Sequence, residues 1–178
     1  IGSLSIGSSD FDLVMPELGN GLTIEWLMFS ASGTITGTNS VDFVSAVSTS
    51  QAGDNVKFEF NMGEDSVTDM LGYANGWGKE HVKIYNFREG HDDLRVNGDH
   101  VADVSELGVT TAAAILGGVL GQTISASELF MGSATATFTY NGDIFFLATN
   151  GNATFDNGEV AFQFVGVTDV SGSDITSF

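Results

Sequence analysis

The sequence predicts a mainly β fold, either an antiparallel β-sandwich or a β-roll-like domain, with one short buried helix at about residues 110–120. Short segments in which apolar and polar residues alternate recur along the chain, and a period of two indicates strands with one buried face. Pairs rich in Gly, Asn and Asp separate these segments, as expected for turns. Only residues 110–120 are apolar nearly all round, which favours a helix buried against a sheet.

Composition and charge limit the class of protein. The chain has 178 residues, 42% of them hydrophobic, which is enough to bury the core of a single β-rich domain over residues 1–178. Aspartate and glutamate number 23 against 5 lysines and arginines, giving a net charge of -18. Such a surface repels nucleic acid and attracts divalent cations, and no apolar run is long enough to insert into a membrane. Without cysteine, the chain has no disulfide scaffold.

The N-terminal region predicts two different kinds of segment. Residues 1–15 hold two short alternating apolar sets separated by Gly and Ser, a pattern typical of an extended N-terminal arm or an edge strand. Pro16 should end this segment. A more regular alternation in residues 22–29 predicts a strand whose apolar face, including Trp26 and Met28, lies in the core.

The central region predicts further strands between acidic turns. Residues 55–62 alternate strictly between apolar and polar side chains and therefore form a strand. Residues 64–74 fit either a short helix or a loop. Residues 82–87 predict another strand, and an acidic turn at residues 88–93 leads into a short apolar segment at residues 94–96.

The C-terminal region carries the clearest β pattern. Residues 134–140 alternate, Asn141-Gly142 suits a tight hairpin turn, and residues 144–147 form a continuous apolar run that suits burial on both faces. Residues 160–165 alternate again. We interpret these segments as three consecutive antiparallel strands.

One short helical signal precedes these strands. Ser125 and Glu128 have the spacing of a capping box, in which each side chain binds the backbone N–H of the other residue. The segment between them therefore predicts a single helical turn. It lies just ahead of an apolar stretch at residues 129–131.

Two segments resemble a pattern found in type-I-secreted bacterial proteins of the RTX class. Asn55 to Gly98 contains an aromatic-rich strand followed by the turn NFREGHDDLRVNG, and Asn141 to Phe178 ends in a VTDVSGSDITSF tail. The resemblance implies secretion by an uncleaved C-terminal signal and folding outside the cell or at its surface, in some cases in surface-layer, adhesin or filament proteins. The calcium-binding nonapeptide of that class, Gly-Gly-x-Gly-x-Asp-x-aliphatic-x, is not intact here.

Calcium is the cofactor that the acidic turns predict. A calcium ion takes six to eight oxygen ligands, so one turn alone cannot supply a complete site. Six aspartates in Asn- and Gly-rich turns are the candidate ligands. They are Asp65, Asp92, Asp93, Asp99, Asp143 and Asp156.

The histidines and tryptophans offer weaker candidate sites. His81, His91 and His100 lie among aspartates, but their spacing fits no metal motif, so we interpret them as solvated turn residues. Trp77, in a Gly-flanked loop, is the better candidate for an exposed sugar platform with Trp26 and Tyr85. The other interpretation of Trp77, a loop aromatic that folds back on the core, is favoured.

The sequence leaves two hypotheses for function. The first is a secreted, non-catalytic structural protein that binds copies of itself to form an extracellular filament or surface layer, with the N-terminal arm adding to a neighbouring sheet edge. The second is a C-terminal secretion and folding module, with or without bound calcium, of a larger secreted enzyme or adhesin. No nucleophile elbow, phosphate loop or zinc-protease helix is present, so we do not expect an enzyme. A secreted hydrolase with a scattered acidic site is a third, less favoured option.

Overall fold

The structure, a computed structural model, describes residues 3–6, 9–14, 23–40, 42–63, 68–97, 107–131 and 137–177. Within these ranges the chain forms strands, one α-helix and one short 3-10 helix at Ala126–Glu128. The helix is α1 (Val109–Leu120). The strands are β1 (Ser3–Ser5), β2 (Phe11–Val14), β3 (Thr23–Phe29), β4 (Gly33–Thr36), β5 (Phe43–Ser48), β6 (Asn55–Asn61), β7 (Met70–Ala74), β8 (Lys79–Tyr85), β9 (Asp93–Val96), β10 (Phe130–Met131), β11 (Thr137–Tyr140), β12 (Asp143–Ala148), β13 (Val160–Val165) and β14 (Ile175–Ser177).

The strands form two sheets that are built by coiling the chain. Sheet A has the order β1-β3-β5-β7-β9-β14, and sheet B has the order β10-β11-β12-β13-β8-β6-β4-β2. From β1 to β9 successive strands alternate between the sheets, and all their pairings are parallel. Each coil therefore adds one strand to each sheet, which is the arrangement of a β-roll.

The C-terminal part extends this roll in two ways. Strands β10 to β13 form an antiparallel meander, and β13 joins the roll by pairing in parallel with β8. After the meander, the chain returns to sheet A, where β14 pairs in parallel with β9.

The prediction of a mainly β chain with one short buried helix is confirmed, as are the three consecutive antiparallel strands. Outside the meander the pairing is parallel, in line with the β-roll alternative. Parallel strands are usually buried on both faces and read as continuous apolar runs. Here the outer faces of β4, β6 and β8 are polar, so their alternation looks like that of antiparallel strands.

An aromatic core fills the space between the sheets. Phe29 of sheet A stacks on Phe58 of sheet B with ring centroids 5.0 Å apart, and Tyr73 of sheet A meets Phe162 of sheet B edge-on at 5.6 Å. All four side chains are buried. These contacts fix the spacing of the two sheets, because large rings contribute more buried area than any other side chains.

A second apolar layer lies on the outer face of sheet B. Ile115 and Leu116 of α1 belong to one buried cluster with Phe145 and Leu147 of β12. Since β12 is covered by the roll on one face and by α1 on the other, its continuous apolar run is explained. Helix α1 has 12 residues, and no helix in the described ranges is long and apolar enough to cross a membrane.

The turns follow local sequence signals closely. Asn141 and Gly142 both have positive φ, at 52° and 85°, as a tight hairpin turn demands. Ser125 and Glu128 form the predicted capping box. Residues 70–74, interpreted from sequence as helix or loop, are strand β7, while residues 64–67 lie outside the described ranges.

The prediction that Trp26 lies in the core is wrong. The pairing of β3 with β5 shifts register between Ile24 and Leu27, which marks a β-bulge. One extra residue reverses the alternation, so Leu27 and Phe29 point inward while Trp26 (55% exposed) and Met28 point outward. A strict period of two could not show this irregularity.

The N-terminal segments complete the roll at one end. Strand β1 pairs with β3 at the edge of sheet A, and β2 pairs with β4 at the edge of sheet B. The partly buried Phe11 and Leu13 pack against the main core. In this structure both segments are therefore edge strands of their own sheets.

The bulge in β3 predicts opposite outcomes for two adjacent substitutions. Leu27→Ala should lower the free energy of unfolding by about 2–5 kcal/mol, because it leaves a cavity in the core. Trp26→Thr should change it by less than about 1 kcal/mol, since the replaced side chain lies on the outer face. Denaturant unfolding of both variants measures the difference, and a larger loss for Trp26→Thr would show that β3 has no bulge.

Candidate functional site

The predicted calcium ligands lie in several different turns. Asp65 and Asp99 fall outside the described residues. Asp92 immediately precedes strand β9 and Asp93 is its first residue. Asp143 is the first residue of β12, and Asp156 lies in the loop between β12 and β13. Within the described ranges, no group of three or more His, Cys, Asp or Glu side chains is arranged to hold a metal ion.

Four buried aspartates line one side of the roll, and we call them the aspartate column. Each stands immediately before a strand of sheet A, namely β5, β7, β9 or β14. They are Asp42, Asp69, Asp92 and Asp174. Of these, only Asp92 is among the predicted ligands.

Hydrogen bonds connect the column from coil to coil. The backbone N–H of Asp42 donates to Oδ1 of Asp69 at 2.8 Å, and the N–H of Asp69 donates to Oδ1 of Asp92 at 3.0 Å. Oδ1 of Asp174 accepts the N–H of Gly90 at 3.1 Å. Each carboxylate after the first therefore binds the backbone of the preceding coil.

In Asp42, Asp92 and Asp174, the second carboxylate oxygen closes the turn that precedes the strand. Oδ2 of Asp42 accepts the N–H of Thr38 at 2.6 Å, and Oδ2 of Asp92 accepts the N–H of Arg88 at 2.7 Å. The Asp92 carboxylate also binds the Arg88 guanidinium at 2.9 Å. These donors satisfy both oxygens of the Asp92 carboxylate and connect its turn to the preceding coil, which gives Asp92 a structural role.

Buried glutamates also accept hydrogen bonds from turns. They lie on the opposite side of the roll, near the turn in which the chain passes from β7 of sheet A to β8 of sheet B. Oε1 of Glu80 accepts the Ser50 hydroxyl at 2.6 Å and the Gly76 N–H at 2.9 Å, and Oε2 accepts the Tyr73 hydroxyl at 3.0 Å. Burial, together with the neighbouring Glu80 carboxylate, raises the pKa of Tyr73, which keeps its hydroxyl a proton donor. Glu159 likewise accepts the N–H groups of residues 150 and 156.

The loop between β12 and β13 holds Asp156 by side-chain contacts. Its Oδ2 accepts hydrogen bonds from Asn152 Nδ2 at 2.8 Å and from the Thr154 hydroxyl at 2.9 Å. These two bonds lower the pKa of Asp156, so the side chain stays ionised in neutral solution. Asp156 is thus a fixed negative charge near the surface.

All three lysines of the chain lie together on the outer face of sheet B, and we call this surface the lysine face. Lys57 is on β6, and Lys79 and Lys83 are on β8, which pairs with β6. Lys83 forms an ion pair with Glu59 of β6 at 3.4 Å. The two arginines lie elsewhere, Arg88 in the aspartate column and Arg95 exposed on β9 of sheet A.

His81 lies in the middle of the lysine face, directly opposite Lys57. Its Nε2 is 2.8 Å from Oε1 of Gln163, whose Nε2 donates to Oδ2 of Asp143 at 2.6 Å. Because the amide nitrogen faces Asp143, the amide oxygen must accept a hydrogen bond from the Nε2–H of His81. Burial lowers the pKa of His81, so the imidazole is neutral at pH 7. The interpretation of His81 as a solvated turn residue is therefore wrong, while His91 lies exposed in its turn.

A shallow groove separates the lysine face from helix α1. It has a volume of about 110 Å³ and is lined by Lys57, Lys79 and His81 on one side and by Gly118, Val119 and Phe155 on the other. Lys57 and Lys79 therefore lie near the C-terminal turn of α1, and the C-terminal end of a helix favours nearby positive charge. Carboxylates also lie beside these lysines, because Lys83 pairs with Glu59 and Lys57 lines a second groove with Asp10 and Glu59.

The three aromatic residues proposed as a sugar platform are not brought together. Trp26 is on the outer face of sheet A, Tyr85 ends β8 in sheet B, and Trp77 (74% exposed) lies in the turn between β7 and β8. The favoured expectation that Trp77 folds back on the core is wrong.

Asp92 should be essential for stability whereas its neighbour Asp93 should not. Asp92→Ala removes the acceptor of two buried backbone N–H groups and of Arg88, so it should lower the free energy of unfolding by about 3 kcal/mol or more. Asp93→Ala is the matched control and should cost no more than about 0.5 kcal/mol, because its side chain is half-buried on the outer face. Urea unfolding distinguishes them, and equal losses would contradict the structural role of the column.

Calcium binding at all six predicted aspartates stays a prediction. Calcium at a hundred times its Kd should stabilise the native state by about 2.7 kcal/mol, while sodium at the same ionic strength only screens repulsion. Thermal melting in both salts measures the difference. Equal melting temperatures would mean that screening alone acts and that the chain has no calcium site.

Comparison of this chain with protein-family models, with curated proteins and with solved structures finds no match.

Proposed function

We propose that this chain is a non-catalytic structural protein that binds copies of itself through the open edges of its β-roll and forms an extracellular filament or surface layer. The observation that carries the proposal concerns the first coil, which consists of β1 and β2. Strand β1 is the edge strand of sheet A and β2 is the edge strand of sheet B at the same end of the roll. In the described ranges no strand pairs with the outer edge of either one. The extracellular location rests on the sequence resemblance to type-I-secreted proteins.

The backbone of this coil presents free hydrogen-bonding groups. The N–H of Ile6 donates to Met28 O at 2.8 Å, and the N–H of Phe11 donates to Ser32 O at 3.2 Å. In a parallel strand, neighbouring residues direct their backbone groups to opposite sides. Ser5 and Asp12 therefore direct their N–H and C=O groups away from the molecule, where a further strand can accept them.

These edges lack two of the devices that prevent association, lysine and proline. Proteins guard exposed edges with lysine, proline or bulges. Residues 3–6 and 9–14 contain neither lysine nor proline, and Val14 is 69% exposed. Two adjacent edges from one coil also offer twice the hydrogen bonds of a single strand, which favours specific pairing over random aggregation.

The second candidate function uses the same edge. A β-roll grows by adding coils, so the outer edges of β1 and β2 fit a preceding coil of a longer chain as well as a second copy. In that case the chain is a folding and secretion module of a larger secreted protein. The two functions differ in oligomeric state, because a module remains monomeric while a structural subunit polymerises.

Blocking the β2 edge should abolish self-association without unfolding the protein. Asp12→Pro removes an outward N–H that no described strand of the chain itself uses, and Val14→Lys adds the charge that natural edges carry. We expect the double variant to sediment as a folded monomer at concentrations where the unchanged chain forms polymers.

The matched control is Ala114→Lys, which places the same charge on the exposed surface of α1. It should polymerise normally. Analytical ultracentrifugation measures both variants, and circular dichroism confirms that they fold. Normal polymers of the edge variant would exclude β2 as the point of contact, and an unchanged chain that stays monomeric at every concentration would favour the module instead.

A further inference from the structure

The outer face of sheet A carries very little charge, although the chain as a whole has a net charge of -18. The six strands of this sheet contain only three charged residues, Glu25, Asp93 and Arg95. The two central strands, β5 and β7, contain none. In the described part of the chain no helix packs on this face, since α1 belongs to the cluster on sheet B.

The outward side chains in the middle of this surface are apolar, and we call it the neutral face. Trp26 and Met28 of β3 are 55% and 39% exposed. Beside them, the outward positions of β5 and β7 hold half-buried apolar side chains, which are Phe43, Val47, Met70 and Ala74. A contiguous apolar patch on a protein surface marks an interaction site.

Strand register places the two kinds of charge on opposite sides of the neutral face. Ser45 of β5 pairs with Gly72 of β7, which pairs with Arg95 of β9. On its other side, Ser45 lies opposite the bulge in β3, where Glu25 and Trp26 are both exposed. Glu25 and Arg95 therefore lie in one row across the sheet, with two strands between them.

We propose that the neutral face binds the same face of a second copy of this chain, with the strands of the two sheets aligned. This inference rests on the proposed self-assembly and adds a second contact to it. A two-fold axis that runs along the strands, between β5 and β7, places β3 of each copy over β9 of the other. Glu25 of each copy then faces Arg95 of the second copy, so the charges of the two faces are complementary.

Charge selects this arrangement over the other two-fold packing of the same faces. An axis that runs across the strands would place β3 over β3 and β9 over β9. Glu25 would then face Glu25 and Arg95 would face Arg95, which costs free energy. In the proposed arrangement the remaining carboxylate, Asp93, faces the hydroxyl of Thr23, because Thr23 and Asp93 also share a row.

The opposed apolar positions also match in size. The axis along the strands places β5 of each copy over β7 of the other, so Phe43 meets Met70 and Val47 meets Ala74. In each pair a rigid or larger side chain meets a flexible or smaller one, which allows the side chains to interdigitate. Stacked sheets pack about 10 Å apart with their strands aligned to within about 30°, and the proposed packing has this geometry.

The size of the neutral face predicts a weak contact. Six strands about 4.8 Å apart, each about five residues long at about 3.3 Å per residue, cover roughly 500 Å² per copy. The total of roughly 1,000 Å² is the lower limit for a specific interface. Free copies therefore pair with a Kd of about 0.1 mM or weaker. Copies already joined through their edges pair at many positions at once, so the face contact doubles an edge-grown assembly.

The test uses the edge variant Asp12→Pro/Val14→Lys, in which the proposed edge polymers are blocked. Sedimentation equilibrium up to about 1 mM should show dimers. In this background Glu25→Arg and Arg95→Glu each place like charges opposite each other and should weaken dimerisation by about tenfold. The exchanged variant Glu25→Arg/Arg95→Glu restores both ion pairs and should return the Kd to within about threefold of its original value.

Two features of these variants separate the ion pair from net charge. Glu25→Arg makes the chain less negative, so net charge alone would strengthen association rather than weaken it. Lys57→Glu is the matched control for Arg95→Glu, because it changes the charge by the same amount on the outer face of sheet B. It should leave the Kd within about twofold. Circular dichroism confirms that each variant is folded.

The two tryptophans of the chain provide an independent measurement. Trp26 lies on the neutral face, whereas Trp77 lies in the turn between β7 and β8 and is 74% exposed. When Trp77→Phe leaves Trp26 as the only tryptophan, its emission should shift to shorter wavelength and become less sensitive to acrylamide as dimers form. When Trp26→Phe leaves Trp77, neither property should change with concentration.

Every other outcome overturns a defined part of the argument. An edge variant that stays monomeric up to about 1 mM, while the unchanged chain polymerises, would refute the face contact and leave the proposed function intact. Dimers of the edge variant without polymers of the unchanged chain would refute the proposed function alone. Equal weakening by Lys57→Glu and Arg95→Glu, or no recovery in the exchanged variant, would refute the two-fold arrangement. Protection of Trp26 by neutral lipid vesicles without dimerisation would assign the face to a membrane surface instead.

Discussion

The hydrogen bond between a backbone N–H of one coil and a buried aspartate of the next is the interaction on which this roll depends. A chain that crosses between two sheets must turn at both ends of every strand, and those turns bury backbone donors that no strand can satisfy. Asp92 and Asp174 each accept a donor of their own turn with one oxygen and a donor of the preceding coil with the other. The same residues therefore close the turns and fix how the coils stack.

This role explains why so acidic a chain folds compactly. Part of its negative charge lies inside, where each carboxylate is surrounded by N–H and O–H donors rather than by cations. Asp92 also has a charged partner, Arg88. Oriented hydrogen-bond donors stabilise a buried carboxylate without a positively charged side chain. The acidic composition thus reflects the architecture of the turns as well as the solvent-exposed surface.

Local patterns in the sequence predicted most elements but not their pairing. The helix, the capping box, the hairpin at Asn141-Gly142 and the meander depend on neighbouring residues, so short windows contain the necessary information. Parallel pairing depends on contacts between residues 19 or more positions apart. An Asp followed two residues later by a buried aliphatic residue does recur, at Asp42, Asp69 and Asp92 with intervals of 27 and 23 residues. That unequal spacing conceals the coil, and the lysine face becomes visible only when β6 lies beside β8.

The roll is asymmetric, and the asymmetry connects its fold to assembly. At one end, β1 and β2 leave both sheets open, while towards the other end sheet B continues into a meander that α1 covers. A roll that was open at both ends could stack on itself by identical contacts at either end. Among the described strands, the far end of the roll is β14 in sheet A and β10 in sheet B, so the two ends present different strands. The outer face of sheet B, left uncovered between β2 and the helix, is the surface that bears the lysines.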